Sequence, residues 1–373
     1  MRILQVSSAR AFGGGERHLA DLARGLDARG HEIFVALAEG SPLRERLSFL
    51  PEANVSTLPL RNALDVRGAL GLARLAREKE ADIVHAHVAR DYTLASFAAR
   101  RNARARLVIT RHVLFPLSRL HRLALANVSR VIAVSHAVAR ALRAQKIFDE
   151  EKIRVVENGV DLTRFSRPRG GFKNERWDDK GTSLRVGIVG EVSPNKGHVD
   201  FLHAAARVAE VLGGGVEFFV VGDDSPRGDG YRERVAEVVE GWGLARRLRF
   251  LGRLDEEEMP RLFFSLDLLV SASHSEAFGL AMVEALACGV PVVATATEGA
   301  REVVEDGANG LLVPVGDVHA LADAVVSLLR DEDRRRVFSE RASGATRERF
   351  DIARTIEATE RVYAEAVADG SSE

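Results

Sequence analysis

Short apolar strand patterns, each followed by a helical pattern, recur in two runs along this chain, and a stretch without periodicity separates the runs. The first run places strands at residues 3–7, 33–37, 55–59, 83–87, 107–110, 131–134 and 153–156. Residues 167–182, RPRGGFKNERWDDKGT, then lose the pattern and fill with Gly, Pro and mixed charge, as a linker does. The second run places strands at 185–189, 216–221, 248–251, 268–271 and 290–294. Strands that alternate with helices pair in parallel and are covered on both faces. The expectation is an α/β protein of two Rossmann-like, doubly wound domains facing a central cleft, with ligands at the carboxyl ends of the strands. The domains would be 1–166 and 183–350. A last helical pattern at 351–368 either caps the second domain or crosses back to the first. Periodicity leaves both open, and the crossing back is the expectation adopted.

The length of 373 residues agrees with two cores rather than one. A net charge of −1 provides no global field for nucleic acid, so no nucleic-acid partner is expected. Arginine is nevertheless crowded at 100, 101, 104, 106, 111, 119 and 122, interleaved with Leu107, Val108, Leu114, Phe115, Leu117 and Leu120. This pattern fits either a core strand and helix with solvated arginines or a basic amphipathic surface making peripheral membrane contact. The single cysteine, Cys288, cannot form an internal disulfide and reads as a small core residue, which suits a reducing compartment. The apolar run in MRILQVSSARAF is too short for a signal peptide, and no stretch approaches the ~18 apolar residues of a membrane span. A cytoplasmic protein is expected, or one held at the inner face of the membrane.

The motifs fall just after strands. Gly13, Gly14 and Gly15 open a helix whose amides can face an anion, although three adjacent glycines also make a flexible turn. They do not match the spaced glycines of a dinucleotide fingerprint. In VGEVSPNKGH, Lys196 stands at a helix start, where it is either a solvated loop residue or a cation aimed at a phosphate. Asp223 and Asp224 follow a strand and fit a helix cap better than a metal site. Gly252 lets backbone approach a flat ligand. In HSEAFGLAMVEALACGVPVVA, Glu276 and Glu284 bracket a helix start near Gly279. The amides near Gly279, Leu280 and Ala281 form an anion site, and carboxylates beside a phosphate need sugar hydroxyls to point at. A phosphate, a ribose and a second sugar together make a nucleotide-sugar.

These motifs resemble glycosyltransferase family 4, retaining enzymes of GT-B fold that use nucleotide-diphospho-sugars. The resemblance rests on the Glu-x7-Glu pair Glu276 and Glu284, GGGER at 13–17, VENGVDLTRF at 156–165, SPNKG at 193–197 and EVVEDGANGLLVP at 302–314. It covers nearly the whole chain, and it implies an acceptor-binding first domain and a donor-binding second domain. It implies that Glu284 binds the donor ribose, that Glu276 contacts the donor sugar, and that Gly14, Gly15 and the main chain at Phe278, Gly279, Leu280 and Ala281 cradle the diphosphate. Lys196 would neutralise the leaving charge, and the backbone around Gly252 and Leu254 would meet the base. His112, in ITRHVLFP, matches a histidine beside the donor sugar.

The donor expected is a UDP-sugar, with GDP-mannose second, and the acceptor a hydroxyl of a glycan, glycolipid or small molecule. No essential metal or other cofactor is implied. One departure stands out: Glu191 occupies a place where family members often have Arg. Two other readings stay open, a Rossmann-type NAD(P)-dependent oxidoreductase, with Glu39 as its ribose-binding acid, and a module that holds a nucleotide-sugar without turning it over.

Overall fold

The computed structural model describes residues 1–166, 183–223 and 231–369. The expected linker and Asp224 therefore lie outside the described residues. The chain divides into two compact units, one of Met1–Gly159 with Ile352–Glu373 and one of Val160–Asp351. Residues 160–166, placed with the first domain by sequence, thus fall with the second: the Val160 amide donates to the Phe350 carbonyl at 2.8 Å, and Arg164 pairs with Glu256 at 3.3 Å.

The first unit holds seven parallel strands: β1 (Arg2–Ser7), β2 (Glu32–Ala38), β3 (Val55–Leu58), β4 (Ile83–Ala86), β5 (Arg106–Arg111), β6 (Val128–Ala133) and β7 (Ile153–Val155). Their order is β3-β2-β1-β4-β5-β6-β7. At the centre, Ile3 faces Ile33 on one side and Ile83 on the other. Ile3, Leu4 and Val6 are fully buried, as both-sided burial of a parallel strand requires. Gln5 and His85 are buried in the same layer, and polar side chains there need partners.

The last helix, Ile352–Asp369, belongs to this unit. Its Ile356, Val362, Tyr363 and Ala366 join the core formed by Leu19, Leu22 and Leu26 of the helix Gly14–Ala28. Arg130 of β6 bonds Glu365 at 3.0 Å. Each large apolar side chain buried this way stabilises by ~1.5–3 kcal/mol, and that burial fixes the return of the chain.

Among its described residues the second unit holds six parallel strands: β8 (Leu184–Val189), β9 (Val216–Val221), β10 (Leu248–Gly252), β11 (Leu268–Ser271), β12 (Val292–Thr295) and β13 (Gly310–Val313), in the order β10-β9-β8-β11-β12-β13. Strand β13 is absent from the sequence expectation. Only three apolar residues stand between Asn309-Gly310 and Pro314, and pairing with β12 from Val292↔Gly310 to Thr295↔Val313 makes them a strand. Two helices follow, Val318–Arg330 and Glu332–Arg349. No helix among the described residues is long and apolar enough to cross a membrane.

In each sheet the strand order reverses once, at β1/β4 and at β8/β11. Crossovers leave in opposite directions there, so a crevice opens at the carboxyl ends of those strands.

Candidate active site

In the second unit the crevice is built by the loops after β8 and β11. Gly197 takes the left-handed conformation, φ +67°, and a Cβ on it would stand 2.0 Å from the Ala272 carbonyl oxygen. Only glycine lets the β8 loop lie this close to the end of β11. The two loops are tied by the His274 amide donating to the Asn195 carbonyl at 2.8 Å and by Asn195 Nδ2 donating to the Ser275 carbonyl at 3.0 Å. The result is a contact between two residues distant in sequence: Lys196 Nζ lies 2.6 Å from Glu276 Oε2. Their side chains are only 29% and 14% exposed, so the pair is poorly screened by water. Ser273 Oγ is 3.5 Å from the same carboxylate oxygen, and the Gly299 amide donates to the Glu276 carbonyl at 3.0 Å.

The helix Leu280–Ala287 starts beside that pair. Its N-cap is Gly279, φ +100°, where no side chain accepts from the first amides. A Cβ at Gly279 would meet Met282 Cε at 2.1 Å. An uncapped helix start directs partial positive charge and free N–H groups outward, as an anion site requires. Phe278 is buried and packs edge-on against Phe350 with ring centroids 5.5 Å apart. Glu284, 2% exposed, sits one turn into a helix whose neighbouring residues are apolar.

Gly252, at the end of β10, accepts the Gly222 amide at 2.9 Å through its carbonyl, and a Cβ there would meet nothing within 4 Å. Leu254 is buried just beyond it. Asp223 is exposed and accepts the Val192 amide at 2.8 Å through its main-chain carbonyl. Glu191 is exposed.

In the first unit, the Gly13 amide donates to Glu16 Oε2 at 2.9 Å, so one donor of the glycine loop is already engaged. Burial pushes the Glu16 carboxyl above its ordinary range. Gly15 lies beneath His112, with 3.7 Å between the His112 ring and the place a Cβ would take. The half-buried His112 follows β5 directly, and it meets two histidines that sequence reasoning passed over. His87 Nδ1 is 3.4 Å from His112 Nε2, and the ring of His18 is 5.1 Å from that of His112. Burial lowers His18 to about 4, and burial together with the neighbouring imidazoles holds His87 and His112 well below the ordinary imidazole value. Asp91, which accepts the Ser8 amide at 2.7 Å, is pushed up to about 6 by burial. The available signal was positional: His87 and Asp91 follow β4, and His18 follows the glycine loop. Read singly, each was indistinguishable from a buried structural residue.

The arginine-rich stretch is not one amphipathic helix. Leu107 and Val108 lie in the core of β5, and Leu117 is buried. Arg104 pairs with Asp82, and Arg111 reaches the Phe115 carbonyl. Phe115, Leu120 and Leu123 stand 68%, 77% and 79% exposed, and Arg119 and Arg122 are exposed beside them.

Similarity to known proteins extends along most of the chain. Residues 12–164 match the model of Glycosyltransferase Family 4, and residues 172–344 match that of Glycosyl transferases group 1. The chain is 31% identical to the 2-deoxystreptamine N-acetyl-D-glucosaminyltransferase of Streptomyces fradiae, over 87% of this chain and 85% of that protein. It is 27% identical to the N-acetyl-alpha-D-glucosaminyl L-malate synthase of Bacillus anthracis, over 94% and 93%. Matches to D-inositol 3-phosphate glycosyltransferases, such as that of Salinispora tropica, span about half the length of those relatives. Among solved structures, Anabaena HepE in complex with UDP and glucose superposes with a TM-score of 0.86 at 26% identity, covering 98% of this chain and 99% of that one.

Proposed function

The chain belongs to glycosyltransferase family 4, and from that premise we propose that it moves a sugar from a nucleotide-diphospho-sugar to an acceptor hydroxyl with retention of anomeric configuration. Its fold is GT-B. The observation that carries the reading is the Lys196–Glu276 pair beside the uncapped helix start at Gly279. One cation and a set of free amides suit a diphosphate, and a carboxylate between them suits the hydroxyls of the attached sugar. Main chain at Phe278, Gly279, Leu280 and Ala281 takes the phosphates. Lys196 meets the charge that grows on the leaving oxygen, and Glu276 holds the donor sugar. Glu284 takes the ribose, and the backbone at Gly252 and Leu254 takes the base.

No side chain is assigned as a nucleophile. The leaving diphosphate oxygen accepts the acceptor's proton as the anomeric bond loosens, and the protein positions the partners and stabilises charge. No metal is assigned to this step. The donor favoured is a UDP-sugar, because the HepE structure holds UDP and glucose; GDP-mannose is second.

A panel of UDP-sugars, GDP-mannose and NADH, read by thermal stabilisation and by donor hydrolysis, tests the reading. Stabilisation and hydrolysis with one nucleotide-sugar are expected. Stabilisation by NADH alone would replace the reading with an oxidoreductase, and binding without turnover would replace it with a carrier module. Glu284→Gln is expected to raise the donor KM ~10-fold or more with a smaller effect on kcat, since a ribose contact is made in ground and transition states alike. A fall in kcat at unchanged KM would remove Glu284 from the ribose.

The acceptor is a glycan, glycolipid or small-molecule hydroxyl, and the first unit favours a lipid-linked or anionic one. No Asp or Glu occurs from Tyr92 to Phe148, and Phe115, Leu120 and Leu123 are exposed within that span. Apolar tips among arginines suit the anionic cytoplasmic face of a membrane. The protein is expected to float with anionic vesicles at low salt and to be released as salt rises. Absence of flotation at low salt would leave a soluble acceptor.

A further inference from the structure

Three imidazoles converge at the crevice of the first sheet: His18 from the helix after β1, His87 from the end of β4 and His112 from the end of β5. One ring nitrogen of each lies within 4.8 Å of those of the other two. We infer that His18, His87 and His112 form a binding site for a first-row transition dication of the zinc type.

The neighbouring hydrogen bonds fix which nitrogens are free. Gln5 Nε2 donates to Tyr363 Oη at 3.2 Å, which leaves Gln5 Oε1 to accept from His87 Nε2 at 2.7 Å. His87 therefore carries its proton on Nε2 and turns a lone pair on Nδ1 toward His112 Nε2, 3.4 Å away. Two nitrogens on a tetrahedral zinc ion, with bonds of ~2.05 Å, stand ~3.3 Å apart, so this pair is already spaced as ligands. An outer N–H held by a carbonyl oxygen is the usual support of a metal-bound histidine. His18 Nδ1 is buried with no hydrogen-bond partner among the described residues.

His85 shows the contrast. Its Nδ1 accepts from Tyr363 Oη at 2.6 Å and its Nε2 donates to Thr110 Oγ1 at 2.7 Å, so it is satisfied as a structural residue and lies outside the set. Three imidazoles without a carboxylate select zinc, cobalt, nickel or copper over magnesium or calcium. The half-buried side of His112 leaves the fourth position for water.

One consequence rests on the proposed transfer reaction: His112, once bound to metal, is withdrawn from the role the family resemblance implies for it, so the ion acts as an inhibitor and not as a cofactor. The test does not depend on that reaction. Chelator-treated full-length protein is titrated with Co2+ and Zn2+, reading the visible absorption of Co2+ and the metal content per chain. One ion per chain is expected, with the intense cobalt bands of a four-coordinate site. His18→Phe and His87→Phe should each weaken binding ~100-fold or more, Gln5→Ala ~10- to 100-fold, and His136→Ala, at the exposed start of the helix His136–Gln145, not at all. Wild-type protein that binds no stoichiometric ion overturns the inference without recourse to any variant. So does binding that survives the His18 and His87 replacements in folded protein.

Discussion

Lys196→Ala is expected to lower kcat ~100- to 1000-fold, the cost of removing a donor aimed at developing charge, while donor affinity changes much less. A nucleotide diphosphate is anionic when bound and gains charge as the sugar departs, so an ammonium at this place does most of its work late in the reaction. The β8 loop offers little else. Glu191 is the other charged residue of the loop Gly190–Gly197, and the Lys196 side chain, 29% exposed, lies deep enough for its charge to act at low screening. Lys196→Arg should restore part of the rate, because charge is kept and only geometry is lost. Steady-state kinetics with the donor identified by the panel decide the matter. A Lys196→Ala enzyme within a few-fold of wild type would assign the phosphates to another cation, with Arg253 and Arg301 next in line.

Glu276→Ala should depress turnover by a comparable ~100-fold or more, and it should shift the binding of the product nucleotide in the opposite sense. In this structure the Glu276 carboxylate already neutralises Lys196 at 2.6 Å. An incoming diphosphate must share the ammonium with that carboxylate and tolerate its charge. Removing the carboxylate frees the cation, so UDP, which has no sugar for Glu276 to hold, should bind up to ~10-fold more tightly. The complete donor gains less, because it loses its sugar contact in the same step. Calorimetry with UDP on wild type and variant reads this directly, and weaker UDP binding by folded Glu276→Ala would show that the pair does not face the diphosphate. Because the two side chains touch, the double variant should lose much less than the sum of the single losses.

Both parallel sheets and the family were legible in the sequence. Strand and helix periodicities differ, and buried parallel strands such as β11 (LLVS) and β12 (VVAT) are apolar over most of their length, so local composition reveals them. The helix start at Gly279 was legible for the same reason: the apolar run of Leu280–Ala287 begins where the glycine ends the loop. Strand β13 was not, since three apolar residues carry no period and become a strand only beside β12.

The charge pair of Lys196 with Glu276 and the meeting of His18, His87 and His112 belong wholly to the tertiary structure. Each joins loops or helices far apart in the chain, brought together because the strand order reverses at β8/β11 and at β1/β4. Sequence spacing records which residues follow a strand. Which strands become neighbours is decided by crossovers and burial across the whole sheet, and a single segment carries no trace of that.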